Sequence, residues 1–510
     1  MLVQLDRDSP VPLYVQIVQG VRRLISSGAL DAGARLPPAR QLARELGINR
    51  NTANAAYDEL VAEGLLERHV GQGTFVARDI HLLFGEPGSF SEGVVAAGAA
   101  WIDALRQEAG WNRDAGFEEL VALCTEPARF PFSSGLPPAE FYPVDEFRRA
   151  TNAALREHGR EILEFGNTVG YGPFLQLLRR QLARQGIGPG AGEVMTSCGT
   201  QEGLDLLSEV VLEPGDTVVL EVPTYPGALR VFGLRQASCI GVPIDDEGIR
   251  PDLLERVLAT QRPKFVYLIP TFQNPSGAVM SLERRHEILS LAARYGVPIL
   301  EDNVSSELYF NSAPPAPLRA LDGDGLVVYL SSFSKILFPG LRLGWMVAPE
   351  ELIERIKRAK GARDLHTNTM TQGAMYEFCR RGYLKGHLER TRGIYRERRD
   401  AMLRALERHF PGEVTWTTPS GGLYLWVTVP DVDTTSLFFE AREAGVVFVP
   451  GPIFCCDGSG RNALRLGFSQ LAPEEIEEGV DILGKIVKRR LVGRSGVSRR
   501  SRRRSDVSVV

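Results

Sequence analysis

Lys335 stands out among the residues able to do chemistry. It lies in Ser331-Ser-Phe-Ser-Lys-Ile-Leu-Phe-Pro-Gly-Leu-Arg-Leu-Gly-Trp345, directly after a strand-like run. A lone lysine after a strand is usually a solvated surface charge, but this one has company. Ser332 and Ser334 bring hydroxyls that can donate to a phosphate, and Arg342 adds a charge-assisted contact to such an anion. Pro339-Gly340 places a turn between them. A Schiff-base lysine needs an apolar, cation-rich setting that lowers its pKa, and Arg342 supplies part of it.

Further parts of such a site lie upstream and downstream. Ser197-Cys-Gly-Thr-Gln-Glu-Gly opens a predicted helix. The N–H groups of Thr200 and Gln201 then sit at its positive end, where a phosphate is favoured. Tyr225, in Glu221-Val-Pro-Thr-Tyr-Pro-Gly, offers a ring to stack on a pyridine, and Asn274, in Gln273-Asn-Pro-Ser-Gly, offers a donor to a ring hydroxyl. Asp302 ends a strand, placed to pair with a protonated pyridine nitrogen, which keeps the ring an electron sink. Arg465, in Leu464-Arg-Leu-Gly-Phe-Ser, has the planar fork that clamps an α-carboxylate. Each has a plainer reading on its own: Asp302 as a helix cap, Tyr225 as a core aromatic, Arg465 as a surface ion pair. Taken jointly, in this order and spacing, they resemble the pyridoxal 5'-phosphate site of fold-type I aminotransferases.

These side chains need a scaffold. Between about residues 128 and 490, strand-like runs alternate with helical patterns, the signature of an α/β domain. The runs include Asp216-Thr-Val-Val-Leu-Glu, Lys264-Phe-Val-Tyr-Leu-Ile-Pro, Val297-Pro-Ile-Leu-Glu-Asp and Leu326-Val-Val-Tyr-Leu-Ser. Residues 79–127, with Gly85-Glu-Pro-Gly-Ser, read as a linker that holds a helix or two. Residues 491–510, rich in Arg and Ser without apolar periodicity, read as a disordered basic tail.

Residues 1–78 form a separate head. Leu13, Ile17, Val21, Leu24 and Ile25 share one face of a predicted helix from Pro12 to Ser27. A shorter helix follows Pro37-Pro38, with Leu42 and Leu46 inward and Arg40 and Arg44 outward. Gly47 ends it, and Asn49 caps a third helix whose buried stripe is Ala53, Ala56, Tyr57 and Leu60. Arg50, Asn51 and Asn54 face away near its start. Leu66–Val70 and Thr74–Ala77 then flank Gly71-Gln72-Gly73, a hairpin turn. This is helix-turn-helix logic: the third helix enters the major groove while Arg and backbone N–H groups hold phosphates. Asn and Arg carry the donors and acceptors that base edges demand. The plainer reading is a small helical interaction domain with surface arginines.

Composition bounds the rest. The 510 residues are 44% apolar and 24% charged, as in folded globular chains. No apolar run reaches the ~18–20 residues of a membrane span. The start, Met1-Leu-Val-Gln-Leu-Asp-Arg-Asp, lacks the basic-then-apolar order of a signal peptide, so a cytoplasmic protein without membrane attachment is expected. Six cysteines without CxxC fit a reducing compartment, and Cys455-Cys456 read as two buried thiols. Seven His without HExxH argue against a zinc hydrolase, and no metal is expected. The net charge of −4 hides an uneven split. Residues 1–78 carry +1, residues 485–510 carry +9, and the body between them carries −14. Four arginines face one glutamate between Arg35 and Arg50. That concentrates attraction for nucleic acid in a short stretch of the head.

Two resemblances sharpen these readings. Pro12-Leu-Tyr, Gly33-Ala-Arg-Leu-Pro-Pro-Ala-Arg-Gln-Leu-Ala, Ile48-Asn-Arg-Asn-Thr, Tyr57-Asp-Glu-Leu and Gly71-Gln-Gly-Thr-Phe-Val resemble a GntR-type winged helix. The resemblance implies DNA contacts by Arg40, Arg50 and Thr52, with 71–73 as the wing. The Lys335 motif and its partners, extended by Gly421-Gly-Leu-Tyr-Leu-Trp and Val449-Pro-Gly-Pro-Ile-Phe, resemble fold-type I aminotransferases. That implies a large α/β domain with a mostly parallel sheet and a smaller α+β C-terminal domain. It also implies that Arg465 and Gly135 bind the substrate or effector.

Head and body together resemble the MocR subgroup of GntR regulators. There the aminotransferase-like body senses pyridoxal phosphate or an amine or amino-acid effector, and the head binds double-stranded operator DNA. The subgroup's picture is a head-to-tail homodimer. The other reading is a working aminotransferase with a regulatory head. Two positions depart from the pattern. Relatives carry a tyrosine two or three residues after the aspartate, where this chain has Asn303, Val304 and Ser305. They also begin the segment at 165 with tyrosine, where this chain has Phe165.

Overall fold

The computed structural model describes residues 5, 12–26, 29–69, 73–79, 115–188, 190 and 192–505. Gly71 and Gln72 of the expected wing tip, linker residues 80–114 and the last five residues lie outside these. The chain divides into two compact units, residues 1–107 and 108–510.

In the first unit, α1 (Leu13–Ser26), α2 (Ala39–Leu46) and α3 (Arg50–Ala62) precede a hairpin of β1 (Leu66–His69) and β2 (Gly73–Val76). The hairpin is antiparallel, with Leu66 opposite Val76 and His69 opposite Gly73. Apolar spacing explains the packing. Ile17, Val21 and Ile25 of α1 are buried against Leu42 of α2 and Ala53, Ala56, Tyr57 and Leu60 of α3. Val18 joins them, a position outside the expected stripe. Gly47 ends α2 at φ 62°, a left-handed conformation that glycine adopts without strain. The Asn49 side chain accepts the Asn51 N–H at 2.8 Å and caps α3.

The first strand of the second unit is β3 (Phe130–Pro131). Its central sheet then takes β4 (Glu193–Ser197), β5 (Thr217–Val222), β6 (Ser238–Asp245), β7 (Gly248–Ile249), β8 (Phe265–Leu268), β9 (Ile299–Asp302), β10 (Val327–Ser332) and β11 (Gly344–Ala348). The spatial order is β4-β11-β10-β9-β8-β5-β6-β7. Neighbours from β10 through β6 pair parallel, and β11 runs antiparallel to both its neighbours. Strands β8, β9 and β10 are buried at every residue, which is why they read as continuous apolar runs. Alternate residues pack against different layers. Leu220, Tyr267, Leu300 and Leu330 join Leu204 and Leu207, whereas Val219, Val266, Ile299 and Val327 join Leu254 and Ile288.

A smaller sheet follows: β12 (Thr415–Trp416), β13 (Tyr424–Thr428), β15 (Val449–Pro450) and β16 (Ala463–Gly467), in the order β12-β13-β16-β15, all antiparallel. Strand β14 (Val446–Val447) pairs parallel with β3, so the start of the body is built into its C-terminal domain.

Two stretches differ from what the sequence predicts. Residues 115–127 carry one of the helices expected of the linker, over Ala115–Leu123, but Leu120 and Cys124 are buried in the body's core, where a linker was expected. The helix from Pro473 runs to Ser505, well into the segment expected to be a disordered tail. Helix elongation costs far less than nucleation, and the buried first turns, with Ile476, Val480, Leu483 and Val487, supply the nucleus. All six cysteines are free; Cys455 is buried and Cys456 half-buried. Among the described residues, no helix is long and apolar enough to cross a membrane.

Candidate cofactor site

The C-terminal ends of the parallel strands converge, as the topology of open α/β sheets dictates for ligand clefts. Strand β5 leads to Tyr225, β8 to Asn274, β10 to Lys335, and β9 ends on Asp302 itself. The Lys335 ammonium donates to the Gly135 carbonyl at 2.9 Å. Burial, reinforced by the positive charge of Arg465, pushes Lys335 down to about 8, against an opposing pull from Asp302. Asp302 is 3% exposed. Its Oδ2 accepts the Tyr267 hydroxyl at 2.8 Å, while Oδ1 is buried without a partner. Burial lifts the carboxyl to about 6, with Tyr267 and Lys335 holding it lower than burial alone would.

The phosphate end is made by close backbone approach. Gly199 precedes the Thr200–Val211 helix at φ 85°, and no side chain caps that helix. A Cβ on Gly199 would lie 3.2 Å from the Arg342 guanidinium, and one on Gly344 would lie 2.8 Å from the Gly199 Cα. Arg342 donates to the Cys198 carbonyl at 2.7 Å. Ser332 Oγ lies 3.0 Å from Ser334 Oγ and accepts the Ser334 N–H at 3.1 Å. The Gln201 side chain accepts the Tyr225 hydroxyl at 3.0 Å and donates to the Gly227 carbonyl at 2.9 Å, so it orients the aromatic ring.

Arg465 is no surface ion pair. Its Nη1 donates to Asn274 Oδ1 at 3.0 Å and its Nη2 to the Ser133 carbonyl at 2.7 Å. Its Nε is buried without a partner. The guanidinium lies 4.8 Å from the Tyr424 ring centre and 5.1 Å from that of Phe454. Gly135 backs onto this group; a Cβ there would come within 2.9 Å of Tyr424 Cε1.

A chain of contacts thus links Lys335, Gly135, Arg465 and Asn274, while Gln201 holds Tyr225 and Arg342 holds the Cys198 carbonyl just ahead of Thr200. Sequence reasoning missed Tyr267, Tyr424 and Gln273. Tyr424 belongs to the Gly421-Gly-Leu-Tyr-Leu-Trp segment, and Gln273 adjoins Asn274, so both had a signal nearby. Tyr267 had none, because only strand pairing brings it to Asp302. At the departures, Val304 is half-buried, Ser305 is buried, and Phe165 is 83% exposed with its ring 6.0 Å from His366.

The site fits pyridoxal phosphate on its own features. An unpaired, buried carboxylate oxygen matches a pyridinium N–H, and uncapped helix N–H groups beside Arg342 match a phosphate. A nearby group of Cys198, Glu202 and Asp364 does not invite a metal. The Lys360 ammonium already lies 2.8–3.0 Å from both carboxylates.

In the head, Arg40, Arg44, Arg50 and Asn51 are exposed, and Thr52 and Asn54 half-buried. Among the described residues, Arg40, Arg44 and Arg50 form no ion pair. Arg35 lies over Phe75 of β2, 5.9 Å from the ring centre, and would meet a Cβ on Gly73 at 3.2 Å.

Fold and cleft define a winged helix-turn-helix head joined to a fold-type I aminotransferase-like body. Residues 131–483 match "Aminotransferase class I and II", and residues 13–76 match "Bacterial regulatory proteins, gntR family". The chain belongs to the aminotransferase class I and II family, and its GntR-type head gives it the pattern of the MocR subgroup. It is 38% identical to aromatic-amino-acid aminotransferase 1 of Thermococcus litoralis over 72% of this chain and 90% of that one. It is 32% identical to the uncharacterized HTH-type transcriptional regulator YisV of Bacillus subtilis over 95% of this chain and 98% of that one. Among solved structures, the multiple substrate aminotransferase of Thermococcus profundus superposes with a TM-score of 0.73 at 37% identity, covering 77% of this chain and 99% of that one.

Proposed function

We propose that this chain is a DNA-binding transcriptional regulator. Its body binds pyridoxal 5'-phosphate and senses that cofactor or an amine or amino-acid effector. The observation that carries the reading is the meeting of Lys335, the unpaired Oδ1 of Asp302 and Arg465 in one cleft of a chain headed by a GntR-type domain. Bound there, the cofactor supplies an aldehyde for reversible Schiff-base formation and a ring that accepts electrons.

The protein's residues do the rest. Lys335, lowered to about 8 by burial, offers a free amine as pH rises through that value. Asp302 holds the ring nitrogen's proton at Oδ1. The N–H groups of Thr200 and Gln201, with Ser332, Ser334 and Arg342, hold phosphate. Tyr225 covers the ring, and Asn274 donates to its hydroxyl. Arg465, with Gly135 leaving room, clamps an effector carboxylate. In the head, Arg40, Arg50, Asn51, Thr52 and Asn54 face DNA, with the 71–73 turn as the wing. An effector changes DNA binding only by the difference in its affinity for the two conformations.

The working assembly is a homodimer in this reading. Leu163, Phe165, Leu365 and Met370 are exposed apolar side chains, a liability that a partner subunit would cover.

A second reading, a transaminase with a regulatory head, is favoured by one observation. The lowered pKa of Lys335 also suits a proton shuttle. Footprinting upstream of the gene, with and without pyridoxal phosphate and candidate amines, tests the first reading; protection that ignores both would overturn it. Sustained multiple turnover with an amino donor and a keto acceptor would establish the second.

A further inference from the structure

A second layer of buried polar groups lies behind the cleft. Glu221, in β5, is fully buried, and among the described residues it has no ion-pair partner. Its Oε2 accepts the Ile269 N–H at 2.9 Å and lies 3.5 Å from Gln273 Nε2, while Oε1 has no partner. Gln273, 1% exposed, uses the same Nε2 to donate to the Pro223 carbonyl at 2.7 Å. Its Oε1 accepts the Ser276 N–H at 2.9 Å and the Ser276 hydroxyl at 2.7 Å. One carboxylate and one amide therefore tie together two loops that leave neighbouring strands.

Each loop carries a group of the cleft. Tyr225 follows Pro223 by two residues. Asn274 is next to Gln273 and receives Arg465 Nη1 at 3.0 Å. Burying a carboxylate with no cation beside it is costly, and so is leaving one of its oxygens unpaired. Burial raises the Glu221 carboxyl to about 7. A leucine would fill that interior position without the penalty, but it would release the Ile269 N–H and Gln273. Their bonds fix the loops against each other, and buried networks of this kind rigidify what they join.

We infer that Glu221 is a positioning residue that acts through Gln273, setting Tyr225 over the cofactor ring and Asn274 against Arg465. It touches neither cofactor nor effector. This inference rests on the function proposed above.

The test uses the full chain and two probes, pyridoxal phosphate and N-(5'-phosphopyridoxyl)-L-leucine, a stable adduct that also carries a carboxylate. Readouts are the two dissociation constants and the induced circular dichroism of bound cofactor, which reports ring stacking. Glu221→Leu is expected to weaken both probes about tenfold or more, the adduct more than pyridoxal phosphate, and to change the induced signal. Glu221→Gln keeps an acceptor for the Ile269 N–H and is expected to return both constants to within about threefold of wild type. Gln273→Met leaves the carboxylate in place and carries the same expectation as Glu221→Leu, which covers a failure of that variant to fold. Folded Glu221→Leu and Gln273→Met proteins with wild-type constants and signal would overturn the inference alone. A glutamine variant no better than the leucine variant would overturn its hydrogen-bond basis. Wild-type protein that binds neither probe would overturn the functional reading, and this inference with it.

Discussion

The Tyr267 hydroxyl donates to Asp302 Oδ2 at 2.8 Å and leaves Oδ1 of the same carboxylate buried and unpaired. The bond stabilises the ionised form, against burial that lifts the carboxyl to about 6. Tyr267→Phe should lift it further. A hydrogen bond to a charged group is worth about 1.5–3 kcal/mol, so affinity for pyridoxal phosphate should fall about ten- to a hundredfold. Wild-type affinity should decline as pH drops through about 6, and the variant's decline should begin at higher pH. Fluorescence titration across pH 5–8 measures both, and identical pH profiles would refute the pairing.

Lys335 gives a second pH signature, of the sign expected for a buried base. Its folded pKa, about 8, lies below its ordinary 10.5. Between those values the unfolded chain binds more protons, so the folded state gains stability as pH rises. Below about 8 the buried ammonium is a full penalty. Protein stripped of cofactor and carrying Lys335→Met should therefore melt above wild type at pH 7, with the gap closing between pH 8 and 10.5. Calorimetry over that range decides it; a gap independent of pH would mean that burial does not lower the pKa of Lys335.

How far the sequence disclosed this site follows the range of the interactions. Strands β8 to β10 announced themselves as apolar runs because both their faces are covered. Asn49 announced the start of α3 because capping is local. Lys335, Asp302 and Arg465 were identifiable by residue type and by resemblance. The contacts they make were not. Tyr267 reaches Asp302 only because β8 and β9 lie side by side in parallel. Gly135 meets Lys335 across 200 residues of chain. Glu221 looked like one polar residue in a strand, and its bonds to a loop beyond the neighbouring strand have no periodic signature. The extension of the Pro473–Ser505 helix past residue 490 escaped for another reason: apolar spacing fades where neighbouring buried turns, rather than local pattern, sustain a helix.

Gly135 tests the effector side. A methyl group there would sit 2.9 Å from Tyr424 Cε1 and 3.9 Å from the Arg465 guanidinium carbon. Gly135→Ala should displace the aromatic wall that Arg465 stacks on. Cofactor absorbance should survive, while affinity for N-(5'-phosphopyridoxyl)-L-leucine should fall about tenfold or more relative to pyridoxal phosphate, the size expected when a charge-assisted hydrogen bond is removed. Equal losses for both probes would remove Gly135 and Arg465 from the carboxylate end.

Asn49 sets the start of the helix that faces DNA. Its side chain satisfies the Asn51 N–H, one of the four donors that a helix leaves without partners. Asn49→Ala should lower the stability of the head by about 0.5–2 kcal/mol. Asn49→Asp keeps the acceptor and should restore that stability. Thermal denaturation of the full chain, reading the head's transition with the body's unfolding as an internal control, checks this. An alanine variant as stable as wild type would mean that the cap contributes nothing.

Arg50 and Thr52 lie in the first turn of α3, and Arg50 has no ion-pair partner among the described residues. If that turn meets the duplex, Arg50→Ala/Thr52→Ala should abolish selective operator binding while weak, salt-sensitive binding persists. Removing a cation that neutralises one phosphate should reduce the slope of log affinity against log salt by about 1. The measurement is operator affinity at several salt concentrations, with a scrambled duplex as control. Arg40→Ala should lower the slope on both duplexes alike, because a bond to phosphate carries no sequence information. Operator selectivity unchanged in the double variant would place recognition elsewhere than the start of α3.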